Sequence, residues 1–425
     1  MRPRLLCALG AVVGALVLLA LPARAQPAPS DGGGEGVRGT IVDEDDEPVA
    51  GVAITVTTAD GQTVGTATTG ADGTFQLDVP GPGDYAATID QETLGGLTLR
   101  NPDRATLEFP VREGQQRTLL FPLGEGDRQV GGTLGRVLQL LVEGVKFGLI
   151  IAMASVGLSL IFGTTGLINF AHGEMVTFGA LAGWYVNVTL GLHFVPATLV
   201  AVLVGALAGA ALDRGLWRPL RRRGTGLIAL LVISIGLGLL VRYLFLYQFG
   251  GQTRPFAQYA VQRAVDLGPV TIAPKDIVSI LLSLAVLTAV ALALLRTRAG
   301  KAMRAVADNP QLAASSGIDV ERVILLVWAF GGGLAALGGV LLGLTEQVSW
   351  QMGVQLLLLM FAGVILGGLG TAFGALVGSF VVGVFIQLST LVLAPELKNV
   401  GALAILILIL LVRPQGLLGQ PERLG

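Results

Sequence analysis

A chain of 425 residues with a net charge of −1 is long enough for two or three soluble domains, but 52% hydrophobic and 13% charged residues, at a mean hydropathy of +0.72, cannot clothe a water-soluble surface. The charge is unevenly placed: residues 26–130 carry 18 acidic and 6 basic side chains, residues 131–425 carry 11 and 19. That division predicts an acidic soluble body joined to a membrane body, and the lack of a Lys/Arg-rich soluble face excludes a nucleic-acid partner.

Residues 1–25 have the form of a secretory signal: Arg2 and Arg4, an apolar run from Leu5 to Leu21, and the small residues Ala23 and Ala25 around Arg24. A true first spanning helix is the competing reading, but the run falls short of the about 20 residues that cross a bilayer. Cys7, the single cysteine, lies in this run, so a product cleaved before Gln26 has no disulfide or thiolate chemistry.

A loose linker, 26–36, leads to strand periodicity. Val52, Ile54 and Val56 alternate with Ala53, Thr55 and Thr57, and Asp60-Gly61 then offers a hairpin turn. Asp72-Gly73 precedes Phe75, Leu77 and Val79; Pro80 to Gly83 precedes Tyr85, Ala87 and Ile89; Leu107, Phe109 and Val111 alternate once more. Six or seven short strands in a small antiparallel β-sandwich are expected over 37–123. The runs GTIVDEDDEPVAGVAITV and GQTVGTATTGADGTFQLDVPGPGDYAATI resemble the carboxypeptidase regulatory-like (transthyretin-like) domains, which implies a rigid extracellular module without catalytic residues. Within it, the acidic run Asp43 to Glu47 reads as a solvated turn in preference to a calcium site. A second linker is expected over 124–138.

Beyond it lie nine candidate spans: 142–162, 175–192, 195–212, 226–246, 276–295, 323–344, 354–369, 372–393 and 399–412. The shortness of the last and the polar residues of 175–192 make eight acceptable. With the sandwich outside, three basic clusters fall in the cytoplasm: Arg214 with Arg218 and Arg221 to Arg223, then Arg296 with Arg298, Lys301, Arg304 and Arg322, and last Arg413. The fold class is therefore a polytopic α-helical membrane protein of eight or nine transmembrane helices, preceded by a small all-β sandwich.

Polar residues among apolar spans are costly and invite a functional reading. The stretch GTTGLINFAHGE, Gly163 to Glu174, holds Asn169, His172 and Glu174 between helix-loosening glycines. Two readings stand: a broken or re-entrant element lining a transport route, or a cytoplasmic turn with His172 and Glu174 hydrated at the surface. Glu143, Glu174 and Glu346 fall near span ends, and no charged pair is expected at mid-span.

SVGLSLIFGTTGLINFAHGEMVTFGA is similar to the first signature of branched-chain amino acid ABC-transporter permeases of the LivH type. LWRPLRRR (216–223) resembles that family's arginine-rich loop, and 300–341 resembles its cytoplasmic coupling segment with the next helix. GGLGTAFGALVGSFVVGVF (367–385) and LLVRPQGLLG (410–419) resemble its closing spans and tail. The resemblance covers 135–420 and implies a permease domain over 139–420. It implies a LivM-like second permease chain, two ABC ATPase subunits that bind the ATP and Mg, and an extracellular solute-binding protein. This chain then needs no cofactor, touches lipid, and sits in the bacterial cytoplasmic membrane with its sandwich on the outer side.

The residues of the coupling segment agree with that assignment. Gly300 to Ser316 reads as a short amphipathic helix divided at Pro310 and stopped at Gly317. Such a helix can dock in a partner's groove, and the resemblance makes Arg304, Ala305, Asp308, Asn309, Gly317 and Ile318 the candidates for ATPase coupling. The spacing of Gly370, Gly374 and Gly378, repeated in Gly205 with Gly209 and Gly339 with Gly343, suits close helix packing within the subunit. His193 reads as a solvated loop histidine.

Two other classes compete with the importer subunit. A secondary transporter or channel working alone would need charged pairs at mid-span. An intramembrane enzyme built on His172 and Glu174 would need a further convergent group, and with two histidines and one cysteine the supply is thin.

Overall fold

The computed structural model of the chain describes residues 35–41, 48–94, 105–111, 116–121, 132–259, 262, 264–393 and 407. The expected signal with Cys7, the acidic run Asp43 to Glu47, the ninth span apart from Ile407, the tail and Arg413 lie outside these residues, as does most of both linkers. The chain forms two compact units that divide after Arg136.

The first unit has seven strands: β1 (Gly36–Thr40), β2 (Ala53–Thr58), β3 (Thr63–Thr68), β4 (Thr74–Asp78), β5 (Gly83–Ile89), β6 (Thr106–Val111) and β7 (Gln116–Leu120). They make two sheets, ordered β4-β1-β7 and β3-β2-β5-β6. The period-two alternation predicts the core: Ile54, Val56, Tyr85, Ala87, Ile89, Phe109 and Val111 of one sheet pack with Val37, Phe75 and Leu119 of the other. Gly73 takes φ +71° in the turn before β4, where Asp72 accepts hydrogen bonds from the Thr74 hydroxyl and amide at 2.8 and 3.1 Å. Those two bonds, the hydroxyl's first, hold the Asp72 carboxyl below its ordinary value. The expectation of an antiparallel sandwich needs one correction: β1 and β7 run parallel. They come from opposite ends of the domain, so no hairpin ties their directions together.

The division falls within the first turns of α1 (Gly132–Thr165), which leads into the second unit, so 132–138, expected as linker, is helix. α2 (His172–Trp184) runs on through a π-turn (Tyr185–Thr189); α3 (Phe194–Leu212) passes through another (Asp213–Trp217) into α4 (Arg218–Arg222). There follow α5 (Leu227–Phe249), a β8–β9 hairpin (Val265–Leu267, Val270–Ile272), α6 (Pro274–Arg296), α7 (Arg298–Asp308), α8 (Pro310–Ser315), α9 (Val320–Glu346), α10 (Met352–Gly367) and α11 (Ala372–Ser389). Among the described residues six helices are long and apolar enough to cross a membrane, and α10 is a shorter apolar one. Eight of the nine expected spans lie on helices; the second, 175–192, lies on α2 and its π-turn, too short to cross as an α-helix.

Small residues set the packing around α9, which is buried along most of its length. Gly205 and Gly209 of α3 lie against Gly332 and Trp328 of α9, and Gly339 of α9 against Val176 of α2. Gly374 and Gly378 of α11 lie against Gly367 and Gly363 of α10, so these glycines serve contacts within the chain. Gly370 does not belong to that stripe: it precedes α11 in a turn, at φ +81°, close to Gly163.

Candidate functional site

α1 ends at Thr165, and the chain turns at Gly166 (φ +69°) beside Leu227, the first residue of α5. Residues 166–171 then run back along α5: Ser234 meets Ile168 and Phe170, Gly238 lies near Ala171, and Arg242 reaches Glu174. Leu227 and Arg242 are fifteen residues apart, about 22 Å of helix at 1.5 Å per residue. α1 gives the same depth independently, because the His172 ring lies 3.1 Å from the Ala154 carbonyl, eleven residues or about 16 Å before the end of α1. α2 therefore starts inside the bundle, after an irregular segment that re-enters it.

Irregular backbone in a bilayer survives only where protein or water supplies its partners. Here protein does. Phe170 N donates to Ser234 Oγ at 3.0 Å, and Ala171 N to Asn169 Oδ1 at 3.1 Å. Leu167 N donates to Thr165 Oγ1 at 3.2 Å, and His172 N to the Asn169 carbonyl at 3.2 Å. α10 begins at the same level, where Gly353 N donates to Thr177 Oγ1 of α2 at 3.1 Å.

Asn169, His172 and Glu174 are all buried, at 1%, 0% and 3% exposure, which rules out a hydrated surface turn. Their tasks differ. Asn169 spends its carbonyl oxygen on the local backbone. His172 Nε2 faces a carbonyl, which can only accept, so the proton sits on Nε2 and Nδ1 has no hydrogen-bond partner. Glu174 Oε1 accepts from Arg242 Nε at 2.9 Å, and its Oε2 is buried without a partner. This ion pair corrects the expectation that Glu174 lies near a span end and that the spans hold no charged pair: Arg242 stands within its apolar span, about 22 Å from Leu227 and about 10 Å from Phe249. The cause is the re-entrant segment, which moves the first turn of α2 away from the end of the bundle.

Sequence reasoning missed Arg242, Ser234 and Thr177. For Arg242 the signal existed: it is the single charge between Leu227 and Phe249, and an ionisable residue inside an apolar span asks for a partner. Nearer the Leu227 end, and about 16 Å along α5 from Arg242, Leu158, Phe162, Leu167, Phe170, Leu231 and Phe361 line part of an apolar cavity of ≈ 380 Å³.

The end of the bundle near Leu227 carries the basic residues. Arg221 Nη2 lies 2.8 Å from Asp213 Oδ1, which is fully buried, and Arg218 Nε lies 2.8 Å from Glu321 Oε2 at the start of α9. Beside them Trp217 and Trp328 stack, ring centroids 5.8 Å apart. Arg214, Arg222 and Arg223 are exposed.

α7 and α8 adjoin this region through α6 and α9. Thr297 caps α7 by accepting from Gly300 N at 3.0 Å, and Asn309 caps α8 by accepting from Leu312 N at 2.9 Å, with Pro310 at the first helical position. The helix thus divides at Pro310 and stops at Gly317 (φ +85°) as its sequence suggests. Met303, Val306 and Ala313 face the bundle; Arg304, Asp308, Asn309, Leu312 and Gly317 are exposed, Ala305 and Ile318 half-buried. The six candidate coupling residues, Arg304, Ala305, Asp308, Asn309, Gly317 and Ile318, therefore sit at the Leu227 end of the bundle, apart from the Glu174 region inside it. At the opposite end, Asn187 is held by the Leu192 carbonyl, Gln258 and Ala257 N, and exposed His193 caps α3.

Comparison with known proteins covers both units. The model of the family described as branched-chain amino acid transport system / permease component matches residues 140–410, and that of the carboxypeptidase regulatory-like domain matches 36–123. The chain is 31% identical over 303 residues to the high-affinity branched-chain amino acid transport system permease protein LivH of Escherichia coli K12, covering 67% of this chain and 96% of the relative. It is 30% identical, with the same coverage, to BraD of Pseudomonas aeruginosa, and 29% identical to a probable LivH of Methanocaldococcus jannaschii over 66% of this chain and 92% of the relative.

Proposed function

The chain is a multi-pass membrane protein belonging to the branched-chain amino acid transport permease family, and from that premise we propose that it is one permease subunit of an ATP-driven ABC importer for branched-chain or related small amino acids or amides. The observation that carries the proposal is the re-entrant segment with its buried polar residues, set in a chain whose α7–α8 pair presents a capped, exposed surface for a partner. The transport route passes His172 and Glu174, with Asn169 shaping the backbone beside them. Arg304, Ala305, Asp308, Asn309, Gly317 and Ile318 meet one of two ABC ATPase subunits, which bind ATP and Mg and hydrolyse the nucleotide. A LivM-like chain supplies the other half of the route, and an extracellular solute-binding protein delivers the solute.

The chain does no chemistry of its own in this reading. It lies in the bacterial cytoplasmic membrane, with a cleaved signal and with the sandwich on the outer side, where its acidic surface helps to receive the binding protein. Deletion of 37–123 that leaves uptake and binding-protein capture intact would reduce the sandwich to a spacer.

The ion pair between Glu174 and Arg242 keeps a second reading in play, because a stand-alone secondary transporter uses intramembrane charge pairs. Purification of the chain from its native membranes in mild detergent separates the two. The importer predicts co-recovery of a second permease, an ATPase and a binding protein, and loss of uptake in a strain lacking only that ATPase. Uptake that survives without the ATPase would establish the stand-alone transporter.

A further inference from the structure

We propose that Glu174 and Arg242 form an exchangeable receptor for a zwitterionic α-amino acid, in which the solute carboxylate takes the guanidinium, the solute ammonium takes the carboxylate, and the two side chains pair again when the solute leaves. This rests on the permease reading above and narrows its solute to a molecule that carries both charges.

The geometry of the pair is that of partners held in reserve. A permanent tie between arginine and a carboxylate commonly uses two parallel hydrogen bonds. Here one bond is made, from Nε to Oε1 at 2.9 Å, while Oε2 is buried and unpartnered. Glu174 is the partner of Arg242 among the described residues, so the rest of the guanidinium is uncommitted. The Arg242 side chain is 19% exposed against 3% for Glu174, which leaves an approach from the arginine side.

Electrostatics favours exchange over simple binding. An isolated charge inside a membrane protein is expensive, and breaking a buried pair leaves one behind. A zwitterion offers one charge of each sign, so the site is neutral when empty and neutral when loaded, with every charge paired in both states. A solute with only one charge, or none, leaves a buried group unpaired and is rejected for that reason. Urea and uncharged amides are therefore poor solutes for this site.

The test uses the complex recovered from native membranes, placed in proteoliposomes with its binding protein. Labelled leucine uptake and ATP hydrolysis are measured in the same vesicles. The double variant Glu174→Leu with Arg242→Met removes both charges and fills their space, a replacement that commonly keeps or raises stability. We expect it to assemble, to melt no lower than the parent and to hydrolyse ATP, while leucine moved per ATP falls at least about tenfold, the equivalent of about 1.4 kcal/mol. Leucine per ATP within about twofold of the parent would make the pair a structural tie and overturn the proposal. Should the double variant fail to assemble, Arg242→Lys decides: it keeps the charge and the tie but loses the planar fork, so a receptor loses coupling and a tie does not. A parent complex that moves no zwitterionic amino acid under ATP overturns the permease reading and this one together; parent uptake with unimpaired variants overturns this one alone.

Discussion

Replacing Ser234 by alanine should loosen the re-entrant segment without touching the ion pair. The hydroxyl of Ser234 is fully buried and has one proton for two carbonyls, Leu231 at 2.7 Å in its own helix and Ile168 at 3.3 Å. The shorter bond takes the proton, so what Ser234 gives the segment is its lone pair, to Phe170 N at 3.0 Å. Alanine leaves that amide buried without an acceptor, at a cost of about 1–3 kcal/mol, while the Ile168 carbonyl loses little. Every 1.4 kcal/mol is tenfold, so exchange protection of the Phe170 amide should fall about fivefold to about 140-fold. Hydrogen exchange on the detergent-solubilised complex, resolved to peptides covering 163–175, reads this directly, and solute uptake should fall with it. Ser234→Cys, with a poorer acceptor of similar size, should lie between the parent and alanine. Unchanged exchange in the alanine variant, or a cysteine variant worse than alanine, would refute the account of how the segment is held.

Arg221→Ala should destabilise the chain by about 3–5 kcal/mol, since it strands the fully buried Asp213, whereas Arg218→Ala should cost about 1 kcal/mol or less because Glu321 keeps access to water; thermal unfolding of the two variants compares them. Thr177→Val removes the acceptor of Gly353 N at the start of α10 and should lower stability by about 1–3 kcal/mol with little change in side-chain volume, visible in the same unfolding measurement. Leu312 stands 63% exposed on α8, so Leu312→Glu should leave the melting temperature within the scatter of surface substitutions while abolishing co-purification of the ATPase; retention of the ATPase would remove α8 from the docking surface.

The apolar runs reveal most of the spans because length and hydropathy are properties of a single segment. Depth is not. Nothing in GTTGLINFAHGE states that seven residues after Thr165 the chain has climbed back to the level of Ala154, since that follows from a contact with α1 eighteen positions back and from contacts with α5, more than sixty residues away. The choice between a hydrated turn and a re-entrant element could not be made from the stretch itself for the same reason. Arg242 was legible as an anomaly, one charge in an apolar run, but its partner was not. The α7–α8 boundary was written locally, in Asn309, Pro310 and Gly317, and the structure places the break and the stop there. In the sandwich the hairpins were local too, whereas the parallel pairing of β1 with β7 joins residues about eighty positions apart and leaves no trace in periodicity.

How a push on α7–α8 would reach Glu174 depends on how stiff the intervening contacts are. α9 follows α8 directly and meets α3 and α2 through Gly332 and Gly339, with Gly179 of α2 set against Ala336. Backbone against backbone leaves no side chains to repack, so sliding one helix along another would drive Gly205 or Gly179 into a neighbouring residue with a Cβ. α2, α3 and α9 are therefore expected to move as a block, carrying the first turn of α2 with them. The joint that can yield is the looser contact between that block and α5, made by the Glu174 to Arg242 pair and the Phe178 and Phe245 rings, together with the Ser234 contact nearer Leu227. Cysteine pairs placed across α2 and α9 should then cross-link without loss of uptake, whereas a cross-link between α2 and α5 near Phe178 and Phe245, whose rings lie 6.5 Å apart, should stop it. Uptake that survives the α2–α5 cross-link would place the moving joint elsewhere.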